Sequence, residues 1–222
     1  MKRKLLIFGT KDTAQLAKYY IENDENYNNK YTIEAFVVNK QFKDCETFEN
    51  LPVLEFEDIE NKYPPSEYDF FAPMTGVKMN TIRERIYKDV KDKGYKCISY
   101  VSSKATVLTQ RIGENCFILE DNTIQPFVEI GNNVVLWSGN HIGHHSVIRD
   151  NVFFTSHIVL SGHCDVGENS WLGVNATIRD YTTIAPKTLI AMGALVTKST
   201  EEGGFYMGNP AKKQDKTSIE VY

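Results

Sequence analysis

A large aliphatic or aromatic residue stands at every sixth position of this chain from Ile112 to Val196. The positions are Ile112, Ile118, Ile124, Ile130, Leu136, Ile142, Ile148, Phe154, Leu160, Val166, Leu172, Ile178, Ile184, Ile190 and Val196. A helix repeats near 3.6 residues and a half-buried strand near 2, so a period of six matches neither element alone. It matches short strands joined by turns and stacked as a solenoid, in which each coil buries its large residues against its neighbours. Three hexapeptides form one triangular coil, and the sequence predicts about five coils.

The residue four places after each large one is usually small or β-branched, and this position includes Cys116 and Cys164. We expect both cysteines to point inward as small apolar fillers. Together with Cys45 and Cys97 they form no Cys-x-x-Cys pair, which favours a reducing, cytoplasmic setting. The open ends of such a solenoid need covers. The segments before and after the repeats are the expected covers.

Strand and helix patterns alternate before the repeats begin. Leu5 to Gly9, Thr32 to Asn39 and Asp69 to Met74 read as strands, and Thr13 to Ile21 and Thr81 to Lys91 read as helices. This alternation predicts a small parallel α/β sheet. The first turn, from Gly9 to Thr13, closes a strand and opens a helix, where backbone amides and the helix dipole favour a phosphate.

Composition excludes several classes of function. The net charge is −4 and no basic stripe is present, which argues against nucleic-acid binding. No apolar stretch approaches the length of a membrane span. The basic start, from Met1 to Lys4, precedes only a short apolar run that ends in a glycine turn, so it reads as a first strand and not as a signal peptide.

Histidine is the second concentrated signal. All five histidines fall in the middle of the repeats, at His141, His144, His145, His157 and His163. His145 and His163 are one full coil apart and should stack on one face, whereas His141, His144 and His145 bracket a single turn. Several imidazoles should therefore meet at one corner of the solenoid, where a neighbouring subunit can share them. Solvated turn histidines are the simpler interpretation for His157 and His163.

The order of these parts resembles a known group of enzymes. A short α/β domain, a hexapeptide solenoid and a Gly-Asn-Pro-Ala-Lys segment at Gly208 to Lys212 are similar to the sugar acyltransferases of the sialic acid O-acetyltransferase and bacillosamine N-acetyltransferase group. The resemblance implies an α/β Rossmann-like domain at residues 1–104 and a left-handed parallel β-helix at residues 105–200. Residues 201–222 would form a C-terminal tail.

The resemblance also implies an activity. It predicts transfer of an acetyl or similar acyl group from acyl-coenzyme A, with acetyl-coenzyme A as cosubstrate, to an amino or hydroxyl group of a nucleotide-linked sugar in bacterial surface-polysaccharide biosynthesis. The enzyme would be a cytoplasmic homotrimer with active sites at the subunit seams. It would need no metal and no covalent acyl-enzyme.

In the matching register, His144 takes the place of the general base of this group. Histidine suits that role because its pKa lies near neutrality. His145 stands where the group has a carboxylate that orients the base; Glu120, Asp150 or Asp165 from a nearby coil are alternative sources of that charge.

Further positions are implied for the two substrates. The backbone N–H of Gly162 matches the group's amide beside the thioester carbonyl. The coenzyme would run past Gly173, Ala191 and Lys212. The nucleotide-linked sugar would lie against Gly9, Thr10, Lys11 and Asn39, of which Asn39 stands where the group has an acidic residue.

Two other classes of function stay open. A non-catalytic β-helical scaffold or binding protein is consistent with the missing acid next to His144. A histidine–metal site shared between subunits, as in the β-helical carbonic anhydrases, is consistent with the histidine cluster, because imidazoles bind zinc readily.

Overall fold

The computed structural model describes residues 2–222, which form an α/β unit followed by a triangular β-helix. The strands of the first unit are β1 (Arg3–Phe8), β2 (Tyr31–Val38), β3 (Thr47–Phe48), β4 (Leu51–Glu55), β5 (Tyr68–Phe71) and β6 (Lys96–Cys97). Its helices are α1 (Asp12–Asn23), α2 (Glu25–Asn28) and α3 (Thr81–Asp92). The sheet has the order β3-β4-β2-β1-β5-β6, and only the β3–β4 pair is antiparallel. The predicted strands and helices are confirmed to within a few residues.

Helices cover both faces of this sheet. Leu5 and Ile7 of β1 belong to the same buried cluster as Ala14 and Ala17 of α1. Leu6 and Phe8, which alternate with them, pack in the cluster that contains Ile86 of α3. Because successive side chains of a strand point to opposite faces, a strand that is buried on both faces reads as a continuous apolar run.

The β-helix has three faces, and the strands of the coils within each face run parallel. The first face contains β7 (Tyr100–Val101), β9 (Phe117–Ile118), β12 (Val135–Leu136), β15 (Phe153–Phe154), β18 (Trp171–Leu172) and β21 (Leu189–Ile190). The second contains β8 (Thr106–Val107), β10 (Thr123–Ile124), β13 (His141–Ile142), β16 (Val159–Leu160), β19 (Thr177–Ile178) and β22 (Leu195–Val196). The third contains β11 (Glu129–Ile130), β14 (Val147–Ile148), β17 (Asp165–Val166) and β20 (Thr183–Ile184). This is the parallel solenoid that the six-residue period predicts.

The large residues of the repeat form the core of the β-helix. From Ile118 to Val196, each of them is at most 4% exposed. Ile124 pairs with Ile142 and Leu160 with Ile178, so equivalent residues of successive coils lie directly above one another. Cys116 and Cys164 are buried in the same core, as their positions in the repeat predict.

The three corners are built from residues with positive φ. One corner, here called the Asn corner, holds Asn115, Asn133, Asn151, Asn169 and Lys187. A second corner holds Asp121, Gly139, His157, Asn175 and Gly193. The third, the histidine corner, holds Phe127, His145, His163 and Tyr181. Asparagine and histidine are enriched among the non-glycine residues that adopt this left-handed conformation.

The α/β unit covers the first face and the Asn corner, rather than only an open end of the solenoid. Outward-facing Phe117 and Phe153 belong to the same cluster as residues of β1 and α1. The buried Arg83 guanidinium of α3 donates to the carbonyl of Asn151 at 2.9 Å, and the Asn80 amide donates to the carbonyl of Asn169 at 3.1 Å. These hydrogen bonds join α3 to the stacked corner.

The C-terminal segment continues the first face, although the sequence after Lys213 shows no pattern that predicts an element. It comprises β23 (Gly204–Met207), β24 (Lys212–Thr217) and α4 (Ser218–Val221). β23 pairs in parallel with β21, and β24 pairs with β23 in the opposite direction. The ring of Tyr222 contacts Trp171, with ring centroids 4.5 Å apart. In the part of the chain that the structure describes, no helix is long and apolar enough to cross a membrane.

The core stack makes a prediction about stability. Phe154 is fully buried in the middle coil, whereas Phe42 is 63% exposed. Phe154→Ala should lower the free energy of unfolding by about 3–5 kcal/mol, because it removes buried contacts and leaves a cavity between two coils. Phe42→Ala, the matched control, should change it by less than about 0.5 kcal/mol. Urea denaturation followed by circular dichroism measures both. A Phe154→Ala variant as stable as the control would contradict this description of the core.

Candidate active site

Four aromatic rings stack along the histidine corner, one from each of four successive coils. The rings of His145 and His163 lie 4.9 Å apart with an angle of 13° between their planes, which confirms the predicted stacking. Tyr181 lies 4.7 Å beyond His163, and Phe127 lies 4.6 Å from His145 on the other side. Phe127 and Tyr181 are 64% and 72% exposed, so the stack ends in open apolar surface. The sequence analysis did not identify these two rings, although both lie 18 residues from a stacked histidine.

His144 projects from the same corner beside this stack. Its backbone N–H donates to Oε1 of Gln125 at 2.9 Å, and its ring is nearly perpendicular to the rings of His145 and His163. Nδ1 of His144 lies 3.0 Å from Nδ1 of His145. A hydrogen bond between two imidazole nitrogens requires that one donates and the other accepts. When His144 donates, its Nε2 carries the free lone pair and can accept a proton.

The ring of His144 lies over Gly162 in the next coil. A Cβ atom at position 162 would lie 2.9 Å from Cε1 and 3.1 Å from Nε2 of His144. Any other residue at position 162 would therefore displace the imidazole. No group among residues 2–222 accepts a hydrogen bond from the N–H of Gly162. Nδ1 would lie 3.3 Å from the same Cβ position, so the imidazole lies face-on against Gly162, and the predicted base and the predicted oxyanion donor are brought together.

The three alternative carboxylates do not reach this imidazole, so that hypothesis is wrong. Glu120 accepts hydrogen bonds from Tyr20 and Ser138 near the second corner. Asp150 accepts from the backbone N–H of Asn132. Asp165 forms a two-point ion pair with Arg149 on the third face, at 2.8 and 2.6 Å. Each carboxylate is engaged by other partners, and His145 is the group that contacts His144.

The remaining histidines lie apart from this site. His141 is on β13 of the second face, and it does not lie at the histidine corner. His157 is at the second corner, where its ring packs against Gly139. The expected grouping of His141 with His144 and His145 at one corner is therefore wrong, whereas His163 is both an exposed turn residue and a member of the stack, as the sequence predicts.

Cys164 lies behind the histidine corner but faces the core. It is 2% exposed, and burial raises the pKa of its thiol. A buried thiol that is hard to ionise is a poor nucleophile.

The residues expected along the coenzyme are distributed over the solenoid. Gly173 and Ala191 lie at the second corner, and the width of the second face separates them from Gly162. A Cβ at Gly173 would lie 2.4 Å from the backbone nitrogen of Met192, so packing between coils alone requires this glycine. Lys212 is exposed at the start of β24. Lys213 pairs with Glu201 at 2.5 Å.

The residues expected around the sugar nucleotide do meet in one pocket of about 270 Å³. The pocket lies where β1 and β2 end, and its lining residues include Gly9, Thr10, Lys11, Asn39, Phe42 and Met74. The sequence analysis did not identify Phe42 and Met74. The signal that the sequence offered for Phe42 is an aromatic residue among polar neighbours.

This pocket and the histidine corner lie on opposite sides of the solenoid of one chain. The α/β unit packs on the first face, whereas the histidine corner joins the second and third faces. In a triangular section, that corner is the vertex opposite the first face. A single chain therefore does not bring the two sites together.

The repeat has a known counterpart. The family model of the bacterial transferase hexapeptide, with six repeats, matches residues 111–144. Over these residues the repeat of this chain is similar to that family's. The chain is 27% identical over 117 residues to an acyl-[acyl-carrier-protein]--UDP-N-acetylglucosamine O-acyltransferase of Sinorhizobium fredii. That match covers 50% of this chain but only 43% of the relative.

Solved structures of sugar acetyltransferases share the fold of this chain. The acetyltransferase domain of PglB from Neisseria gonorrhoeae superposes with a TM-score of 0.81 at 22% identity, covering 96% of this chain and 100% of that domain. A mutant of perosamine N-acetyltransferase from Caulobacter crescentus, in complex with CoA and GDP-perosamine, gives 0.82 at 18% identity. It covers 96% of this chain and 97% of that one. At these identities the likeness establishes the fold.

Proposed function

We propose that this protein transfers an acetyl or similar acyl group from acyl-coenzyme A to an amino or hydroxyl group of a nucleotide-linked sugar. The observation that carries the proposal is the placement of His144 over Gly162, with Nδ1 of His144 held 3.0 Å from His145. A free imidazole nitrogen beside an unpaired backbone N–H provides both groups that acyl transfer requires. The likeness in fold to acetyltransferases supports it.

The reaction follows from these two groups. Nε2 of His144 accepts the proton of the acceptor amine or hydroxyl as the acceptor attacks the thioester carbon. The N–H of Gly162 donates to the oxyanion of the tetrahedral intermediate. When the carbon–sulfur bond breaks, the imidazolium returns the proton to the coenzyme A thiolate, which leaves as the thiol. The acyl group ends on the acceptor, and no acyl-enzyme or metal takes part.

His145 is the positioning residue in this mechanism. A hydrogen bond from Nδ1 of His144 to Nδ1 of His145 selects the tautomer whose Nε2 is free to accept a proton. Phe127 on one side and His163 on the other, with ring centroids at 4.6 and 4.9 Å, restrict the rotation of the His145 ring. An imidazole thus replaces the carboxylate expected from the resemblance.

The pocket of the α/β unit is proposed to hold the sugar nucleotide. The turn from Gly9 to Lys11 leads into α1, so its backbone amides and the helix dipole favour a phosphate. Lys11 adds a positive charge, and Phe42 offers a ring on which a base can stack. The GDP-perosamine in the perosamine N-acetyltransferase complex supports this class of acceptor. The expected role in bacterial surface-polysaccharide synthesis rests on the same resemblance.

A homotrimer would unite the two sites. Because the histidine corner and the nucleotide pocket lie on opposite sides of one chain, a neighbouring subunit has to supply one of them. It would also cover the exposed rings of Phe127 and Tyr181. The coenzyme would then lie between subunits, near Gly162 of one and near Gly173, Ala191 and Lys212 of the next. A chain that sediments only as a monomer at micromolar concentration would contradict this arrangement.

Replacing the base should abolish turnover without loss of donor binding. His144→Ala should lower kcat by about 10²–10⁴-fold, the usual contribution of a general base. Titration calorimetry should still show binding of acetyl-coenzyme A, since the rest of the donor site is intact. His157→Ala, at another corner, is the matched control and should keep wild-type turnover. If His144→Ala keeps full activity, another group is the base. If the wild-type protein does not bind acetyl-coenzyme A at all, the scaffold function is favoured.

The positioning role of His145 predicts a specific rescue. His145→Ala should lower kcat roughly 100-fold, the cost of misplacing a catalytic group by about 1 Å, while the KM for acetyl-coenzyme A stays nearly unchanged. His145→Glu restores an acceptor for Nδ1 of His144 and should recover most of the lost kcat. Equal losses of kcat in both variants would show that His145 has only a structural role.

The nucleotide pocket predicts charge-dependent binding. Lys11→Ala should weaken binding of a nucleotide-linked 4-amino sugar by roughly tenfold, because a charge-assisted hydrogen bond to phosphate is lost. Lys2→Ala, which removes an exposed lysine outside the pocket, is the control. Calorimetric titration with a panel of sugar nucleotides measures both affinities and identifies the preferred sugar. An unchanged affinity in Lys11→Ala would exclude this pocket.

A further inference from the structure

Three imidazoles of one chain converge at the histidine corner in an arrangement that suits a metal ion. One nitrogen from each of His144, His145 and His163 lies within 4.8 Å of the other two. All three side chains are exposed in the single chain. Imidazole is the usual nitrogen ligand of zinc and related transition metals.

The distances come close to those of a coordination sphere. Zinc binds imidazole nitrogen at about 2.0–2.1 Å, so two ligands of a tetrahedral ion stand about 3.3 Å apart. Nδ1 of His144 and Nδ1 of His145 are 3.0 Å apart. His145 and His163 are parallel, so one of these rings has to tilt to share an ion. The His163 ring is exposed and makes no hydrogen bond among residues 2–222, so a tilt toward the ion would break only its stacking on His145 and Tyr181.

We propose that His144, His145 and His163 form a site for Zn²⁺ or a similar divalent transition metal, and that occupation of this site inhibits acyl transfer. A neutral imidazole has one basic lone pair. When His144 gives that lone pair to a metal, its other nitrogen carries a proton, and neither nitrogen can accept one from the acceptor. Metal binding and general-base catalysis therefore exclude each other. The inhibition rests on the proposed role of His144, whereas metal binding does not.

The proposed site differs from a catalytic zinc centre in its effect on the reaction. Three protein ligands leave one coordination position open, as in catalytic sites. Here, however, one ligand is the base itself, so the ion removes the group that drives the transfer. His157, at another corner and with its ring against Gly139, is not part of the cluster.

Metal binding can be measured without any turnover. The protein is treated with EDTA, desalted and titrated with ZnCl₂ by calorimetry, and with CoCl₂ by visible absorption. We expect one equivalent to bind, with the Co²⁺ bands of a site of low coordination number. His163→Ala should weaken Zn²⁺ binding by about tenfold or more because one of three ligands is lost. His157→Ala should bind as the wild type does. Equal Zn²⁺ affinity in His163→Ala and the wild type would overturn the site.

Inhibition is measured by chromatography of the acylated product. An assay with a thiol reagent is unsuitable, because the reagent and Zn²⁺ would compete for the thiol of the released coenzyme A. In the wild type and in His157→Ala, Zn²⁺ at saturating concentration should reduce turnover at least tenfold, and EDTA should restore it. In His163→Ala, inhibition should require correspondingly more Zn²⁺. Full turnover with one Zn²⁺ bound would overturn the inhibitory role. If the protein binds Zn²⁺ but shows no acyl transfer even in EDTA, the metal site is supported and the proposed function is refuted.

Discussion

The inward stacking of large residues six positions apart is the constraint on which the rest of this structure depends. Ile142 and Leu160 occupy equivalent positions in adjacent coils, so each side chain loses its contact with water only when the next coil is in place. Because the stack fixes the register at 18 residues, it also fixes which outward residues lie above one another. The chemistry at each corner follows from that register, since a shift of one residue would disperse every outward ladder.

The three corners share one backbone conformation. The differences between them therefore come from their side chains. At the Asn corner, a buried ladder of side-chain amides continues from Asn115 to Asn133 at 2.8 Å and from Asn133 to Asn151 at 2.8 Å. Buried amides need partners, and α3 supplies several of them. At the histidine corner the same positions carry rings that stack without needing partners, so this corner can stay open to a substrate or to another subunit.

The sequence predicted the repetitive part well because one periodic signal determines strand, turn and stacking together. The position of His163 above His145 followed directly from their separation by one coil, and the elements of the α/β unit followed from alternating patterns. The contacts between units did not follow, because they depend on where the α/β unit packs. The partner of Glu120 is an example, because Tyr20 of α1 engages it across 100 positions of the chain, a separation that no repeat encodes.

The location of the α/β unit also limits what one chain can do. By covering the first face, it shields the outward aromatic side chains Phe117 and Phe153, which a solenoid alone would expose. The same placement keeps its pocket away from the vertex that carries His144. The proposed acceptor and the proposed base could then meet only if a second copy brought its own pocket toward this corner, so the packing of the single chain favours the proposed shared site. The exposed rings of Phe127 and Tyr181 mark the surface on which that contact would bury apolar area, beside His144.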